Sequence, residues 1–288
     1  MSVLNIQKIN KTYENFKLKN VSFDLEKGYI MGFIGANGAG KTTTLKSILN
    51  MIHIESGNIN VFGMDSKKDE LSIKQNIGCM FGGIDFYPKR KIKSITGVVK
   101  RFYEKWDEEI YSKYLKKFKL DEEKKVFELS NGMKVKYSLV LALSHGAKLF
   151  IFDEPTTGLD PAARDDVLEI FQEIIEDGEK SIIFSTHIVS DLEKCADYIT
   201  YIDNGEIIAS TLKDEFIDSY RMIRGSKEVL KRVKYELISH KENSFGFKGL
   251  IKNENINKDE DYEIFEADLE DIMIYYAKRG VSDERITL

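Results

Sequence analysis

The feature that most narrows the fold is a glycine-rich turn set between two apolar elements. Tyr29-Ile30-Met31-Gly32-Phe33-Ile34 is nearly continuous apolar, the pattern of a strand buried on both faces. It runs into Gly35-Ala36-Asn37-Gly38-Ala39-Gly40-Lys41-Thr42-Thr43, after which Leu45, Ile48, Leu49 and Ile52 recur at helical spacing. Gly35-x4-Gly40-Lys41-Thr42 fits the Walker A pattern, and strand, loop and helix are the context that pattern requires. Glycines let the backbone curl so that N–H groups converge on phosphate oxygens. The helix starting near Lys41 adds the positive end of its dipole. Lys41 is expected to reach the β- and γ-phosphates, and Thr42 to place its hydroxyl on Mg²⁺. The run Gly35 to Thr43 is therefore read as a nucleotide-binding loop in an α/β chain.

A second apolar run, Phe150-Ile151-Phe152, ends in Asp153-Glu154. This resembles Walker B, with two carboxylates delivered at the C-terminal edge of a strand, where open α/β sheets bind ligands. Asp153 is expected to hold Mg²⁺ through water, because that ion keeps several waters. Glu154 is placed to polarise an attacking water. Acidic strand ends are also common as solvated termini, so the pair gains its meaning from the loop at Gly35–Thr42.

Composition removes several rival classes. The 288 residues carry 43 Lys and Arg against 48 Asp and Glu, a net charge of −5, so charge gives no reason to expect nucleic acid as the main partner. Cys79 and Cys195 are the only cysteines; they build no disulfide framework and read as small apolar residues of a reducing compartment. The first residues lack the basic and apolar regions of a secretory signal. No run approaches the ~20 apolar residues of a membrane-spanning helix. The longest candidate, Leu139 to Phe152, is broken by Ser144, His145, Gly146 and Lys148. A cytoplasmic chain is expected, reaching a membrane only through a partner.

Leu4 to Ile9 and Val21 to Leu25 alternate like half-buried strands, and Gly57 to Gly63 and Gln75 to Phe81 read as further strands. Ile95, Val98, Val99, Phe102, Tyr103 and Trp106 mark one face of a helix; Ile110, Tyr114, Leu115 and Phe118 mark a second. This predicts a helical subdomain at about 84–145. A helix over Val167 to Ile175, a buried strand over Ser181 to Ser185 and a hairpin at Asp203-Asn204-Gly205 follow. Beyond residue 212 the chain turns polar and charged, with a helix from about Ala267 to Lys278.

Leu129-Ser130-Asn131-Gly132-Met133, together with Asp153-Glu154-Pro155-Thr156-Thr157-Gly158-Leu159-Asp160-Pro161 and His187, narrows the family. Here the chain resembles the ABC (ATP-binding cassette) ATPases, closest to the stand-alone ATPase subunits of bacterial exporter-type systems. The resemblance covers about residues 1–212. It implies a P-loop NTPase (RecA-like) core with an antiparallel β subdomain and an inserted helical subdomain. Residues 213–288 would then form a small C-terminal α+β accessory domain. The reaction implied is hydrolysis of ATP with Mg²⁺, driving a membrane-spanning permease on a separate chain. Two copies, or this chain and a second ABC subunit, would form a head-to-tail homodimer or heterodimer on the inner face of the cell membrane.

Residue by residue, the resemblance makes Ser130 and Gly132 the signature acting on the other protomer's nucleotide. Read without it, Ser130-Asn131-Gly132 is a helix cap. Asp160 matches the D-loop, His187 the switch histidine, and Tyr13 the aromatic stacked on adenine. The pattern departs from the family at Asn131 and Met133 in the signature. It departs further at Gly82, which stands where a glutamine is expected to meet Mg²⁺ and water; Asp85 or a bound water is a candidate substitute. Ile84, Phe86 and Tyr87, before the basic cluster Lys89-Arg90-Lys91, read either as a permease-docking turn or as a local packing cluster. Two other functions stay open: a soluble non-transport ABC ATPase, and a catalytically weak ATP-driven switch.

Overall fold

A computed structural model describes residues 2–82, 87–257 and 261–279. Ile84, Asp85 and Phe86 lie outside the described residues. The chain divides into two compact units, Met1–Ser210 and Thr211–Leu288.

The first unit opens with β1 (Ser2–Thr12), β2 (Lys17–Glu26) and β3 (Ile30–Ile34), followed by α1 (Lys41–Ile48). Next come β4 (Ser56–Val61), β5 (Met64–Asp65), α2 (Glu70–Lys74) and β6 (Ile77–Phe81). A helical segment holds α3 (Ile92–Val99), α4 (Glu108–Lys117) and α5 (Asn131–Leu143). The unit closes with β7 (Leu149–Asp153), α6 (Pro161–Ile175), β8 (Ser181–Ser185), α7 (Val189–Cys195), β9 (Tyr198–Asp203) and β10 (Glu206–Leu212).

Two sheets form from these strands. One is antiparallel, in the order β2-β1-β4-β5; the other is six-stranded, in the order β10-β9-β3-β8-β7-β6. Pairing of β3 with β8 and β9, of β8 with β7, and of β7 with β6 is parallel. Both faces of the central strands are buried, which explains their continuous apolar runs. Leu149 and Ile151 join Phe33, Leu45, Ile48 and Phe23 in one core. Phe152 on the other face stacks on Phe171 of α6 at 5.1 Å, and Phe171 meets Phe184 of β8 at 5.5 Å. The register matters more than the layers. Phe81 pairs with Asp153, Asp153 with Ser185, and Ser185 with Phe33, so β6, β7 and β8 end in one row, one residue short of the end of β3.

Two expected helices stop early, and one expected strand starts late. The helix at Leu45 ends at Ile48 because Asn50 turns left-handed (φ 53°) and the N–H groups of Asn50 and Met51 close onto Ser47 and Lys46. Ile52 lies beyond it. The helix expected through Trp106 ends at Val99 and tightens into a 3-10 turn, Lys100–Phe102. Gln75 takes over there. Its amide donates to the Phe102 carbonyl at 2.6 Å and accepts from the Glu104 N–H at 3.0 Å, so backbone groups find partners without another helical turn. Gln75 itself sits after α2, and the strand begins at Ile77. Cys195 is buried, but Cys79 is exposed on β6, against the expectation of two buried thiols.

The helical segment is tied by hydroxyls. Tyr137 of α5 is fully buried. Its hydroxyl donates to the Ile92 carbonyl at 2.9 Å and lies 2.7 Å from Thr96 Oγ1, which also meets the Tyr111 hydroxyl at 2.9 Å. These bonds fix α5 against α3 and α4.

The second unit contains α8 (Lys213–Asp218), β11 (Tyr220–Gly225), α9 (Lys227–Val233), β12 (Leu237–Glu242), β13 (Phe247–Lys252), β14 (Glu263–Glu266) and α10 (Leu269–Ala277). Its antiparallel sheet runs β12-β13-β11-β14 over a core of Ile223, Val229, Leu230, Val233, Phe247 and Ile251. Among the described residues no helix is long and apolar enough to cross a membrane.

Tyr137→Phe strips a buried hydroxyl from two partners. Urea unfolding followed by circular dichroism should show a loss of about 1–2 kcal/mol, the scale of a buried hydrogen bond. An unchanged midpoint would mean that the hydroxyl cluster does not hold α5.

Candidate active site

The loop from Gly35 to Gly40 turns between β3 and α1 under tight steric limits. At Gly35 (φ 155°) a Cβ would lie 2.2 Å from the Ile202 carbonyl oxygen. At Gly40 (φ 114°) it would lie 2.7 Å from Leu18 and 2.8 Å from Phe16. Only glycine fits either position. Ala36, Asn37 and Gly38 are exposed, Ala39 and Gly40 buried, Thr42 exposed and Thr43 half-buried.

Lys41 is buried, and its ammonium donates to the Gly35 carbonyl at 2.8 Å and the Ala36 carbonyl at 3.2 Å. Glu154 Oε1 stands 3.9 Å away. Burial lowers the Lys41 pKa from its ordinary value, and the charges of Glu154 and then Asp153 counter part of that shift. An anionic phosphate is a stronger acceptor than two neutral carbonyls, so this ammonium is suited to exchange one for the other.

Asp153 ends β7 and is held on both oxygens. Thr42 Oγ1 donates to Oδ2 at 2.8 Å, and Ser185 Oγ donates to Oδ1 at 2.7 Å. Ser185 Oγ in turn accepts the Glu154 N–H at 2.9 Å. Glu154 is left-handed (φ 52°). That backbone is costly for a residue with a side chain, and more so before proline. Its carboxylate accepts from Thr157 Oγ1 at 2.7 Å and meets His187 Nδ1 at 2.9 Å. A carboxylate only accepts, so Nδ1 carries the proton in that contact.

Lys41, Thr42, Asp153, Glu154 and His187 thus form one connected group. The remaining expected residues lie outside it. Tyr13 is exposed on the β1–β2 turn, tilted against Phe16 at 6.5 Å with the Lys11 ammonium 5.6 Å from its ring centroid. Ser130 caps α5, accepting the Met133 N–H at 3.2 Å, and Gly132 approaches Ala163 and Leu159. Asp160 caps α6, accepting the Ala163 N–H at 3.0 Å. Gly82 is exposed with φ 70°, and among the described residues nothing lies within 4 Å of where its Cβ would be. A cleft of about 340 Å³ joins Gly82 and Met80 to Asp153, Glu154, Asn131 and Lys134. A larger cavity, about 750 Å³, lies in the second unit beside Arg224, Asn243, Phe245 and Tyr262, and holds none of these groups. Of the two, only the smaller is lined by members of the connected group, Asp153 and Glu154.

Ser185 and Thr157 join this hydrogen-bonded group, although the sequence alone marks neither. The sequence signal for Ser185 is a hydroxyl after the apolar run Ile182-Ile183-Phe184, and Ser181 gives the same signal at the other end of the strand. The contact of Ser185 with β7 depends on register, which the strand itself does not encode.

A family model described as ABC transporter matches residues 18–157. The ABC transporter ATP-binding protein YtrB of Bacillus subtilis is 33% identical over 223 residues, covering 77% of this chain and 76% of the relative. The chain belongs to the ABC transporter ATP-binding proteins. Another member, NatA of Bacillus subtilis, is 33% identical over 210 residues, 71% of this chain and 85% of the relative. The solved ATP binding subunit of an ABC transporter superposes with a TM-score of 0.67 at 26% identity, over 74% of this chain and 91% of the other. A dimeric cassette, MJ0796 bound to ADP and Pi, shares the fold, with a TM-score of 0.65 at 21% identity over 73% and 98% of the two chains.

The shift at Lys41 gives a signed expectation for this ABC subunit. A phosphate contact of the kind expected for Lys41 requires the charged ammonium. Where burial has begun to deprotonate Lys41, below the ordinary value of 10.5, ATP binding must draw in a proton. Calorimetric titration at alkaline pH in buffers of different ionisation enthalpy should therefore show more net proton uptake than at neutral pH. Equal proton counts at both pH values would place Lys41 outside the phosphate contacts.

Proposed function

We propose that this ABC ATPase powers an exporter-type transporter through the connected group at Lys41, Asp153 and Glu154. The chain is an ATP-binding, ATP-hydrolysing subunit of an ABC transporter. The observation that carries the residue assignment is the hydrogen-bonded line from Thr42 through Asp153 and Ser185 to Glu154 and His187.

Water attacks the γ-phosphorus of ATP, and the bond to the β-phosphate oxygen breaks. Phosphoryl transfer asks mainly for positioning and charge stabilisation. Lys41 and the exposed amides of Ala36, Asn37 and Gly38 take the phosphate oxygens. Thr42 and Asp153 offer adjacent hard oxygen donors, which suits Mg²⁺, an ion that binds through one or two carboxylates and substrate phosphates. When bound there, Mg²⁺ supplies neutralisation of phosphate charge. Glu154 orients the water and accepts its proton. His187 reports the γ-phosphate by trading its Glu154 contact for a phosphate oxygen. Tyr13 stacks on adenine.

Ser130 and Gly132 start α5 at a surface, as needed if they contact the nucleotide of a second subunit in a head-to-tail dimer. Closure and opening of that dimer would drive a permease on a separate chain, holding this subunit at the inner face of the membrane. Gly82 favours a second reading. It offers no side chain to water or metal, as a weakly hydrolysing ATP-driven switch would.

Turnover of wild type and Glu154→Gln, each with and without its permease, separates these readings. Glu154→Gln should lose about 100-fold or more in kcat, keep its affinity for ATP and form a longer-lived dimer. Normal hydrolysis by the variant would remove Glu154 from its role. A wild type that never turns over, even with the permease, would favour the switch.

A further inference from the structure

One fully buried carboxylate has no part in the group above. Asp191, on α7, has no exposed surface. Three segments of the first unit converge on it. Thr156 Oγ1 donates to Oδ2 at 2.5 Å, and Thr186 Oγ1 lies 3.4 Å from the same oxygen. Arg164 donates through Nε to Oδ1, and its guanidinium also reaches Ser190 Oγ.

Each donor belongs to an element of the proposed machinery. Thr156 lies in the loop leaving Glu154, where the Thr157 N–H closes back on the Glu154 carbonyl at 3.3 Å. Thr186 immediately precedes His187 and holds the Ile188 N–H at 3.0 Å. Arg164 lies in the first turn of α6, its N–H on the carbonyl of the cap Asp160 at 3.0 Å. Thr156 and Thr186 are themselves buried, so water cannot replace either bond.

We propose that Asp191 is a positioning residue for ATP hydrolysis, locking the loops that carry Glu154 and His187 and the start of α6 at Asp160 into one register. The inference rests on the roles given above to Glu154 and His187. One oxygen serves both threonines, so a shift of the His187 loop loosens the loop behind Glu154. The other oxygen holds Arg164, which passes the same constraint to α6. A buried pair of this kind contributes little net stability compared with an apolar replacement, but it is well suited to fixing register.

The test uses the full chain with its permease. Asp191→Asn keeps the size and loses the charge; Thr156→Val keeps the volume and loses one hydroxyl; Thr156→Ser restores that hydroxyl. Titration with a fluorescent ATP analogue counts the binding-competent sites, and kcat is expressed per site, with Glu154→Gln measured alongside. Small misplacements of reacting groups cost large factors in rate, so kcat should fall about tenfold or more in Asp191→Asn and about threefold or more in Thr156→Val. KM and analogue affinity should stay within about twofold, and Thr156→Ser should recover most of the rate, because the substrate-binding loop is untouched.

Unchanged kcat per site in the first two variants, or a Thr156→Ser as impaired as Thr156→Val, would overturn the proposal. If Asp191→Asn fails to fold, the Thr156 pair decides. Normal hydrolysis by Glu154→Gln would instead sink the underlying reading of the site.

Discussion

The Asp153 carboxylate is the joint on which the site depends. It accepts one hydroxyl from α1 and one from β8, so the helix carrying the glycine-rich loop and the strand leading to His187 share a single anchor. Hydrogen bonds to a charged group are stronger than neutral ones, and each fixes a direction as well as a distance. The anchor exists because β7 and β8 pair in a register that sets Asp153 opposite Ser185. Moving that register by one residue would turn Asp153 to the other face of the sheet and leave Thr42 without its partner.

Strain sits beside this joint. Glu154 is held left-handed, at a cost on the order of 1–3 kcal/mol for a residue that is not glycine. Its N–H is fixed by the Ser185 hydroxyl and carbonyl, and its carboxylate by Thr157 and His187. Such over-determination aims the carboxylate away from the strand direction and toward the cleft at Gly82. In the role proposed for Glu154, a side chain already aimed needs little reorganisation during the reaction.

The second unit is built on different terms. Its sheet is wholly antiparallel, and its core is small and aliphatic around Phe247. The strand β14 is exposed along its length, with Arg224 held over the Phe265 ring at 5.5 Å and paired with Glu263 at 2.6 Å. Charges on an edge strand guard it against pairing with other chains. None of the residues assigned to nucleotide chemistry belongs to this unit.

Local signals were enough for the loop at Gly35–Thr42, the buried strands and the cap at Ser130, whereas α6 starts at Pro161 behind its cap Asp160, six residues before the helix expected from Val167. Glycine geometry, apolar runs and capping side chains act over a few neighbouring residues, so they leave a mark in the order of amino acids. The acidic pair at Asp153-Glu154 was legible for the same reason. Other features depended on long-range contacts. Gln75 ends the 3-10 turn at Phe102 from across the chain, against a helical period that continues to Trp106. Ser185 and Asp191 gain their importance only when β7, β8, α6 and α7 are packed together. A hydroxyl or carboxylate in the chain carries no record of which donor will face it; that is settled when parallel strands fall into register and bury the space between them.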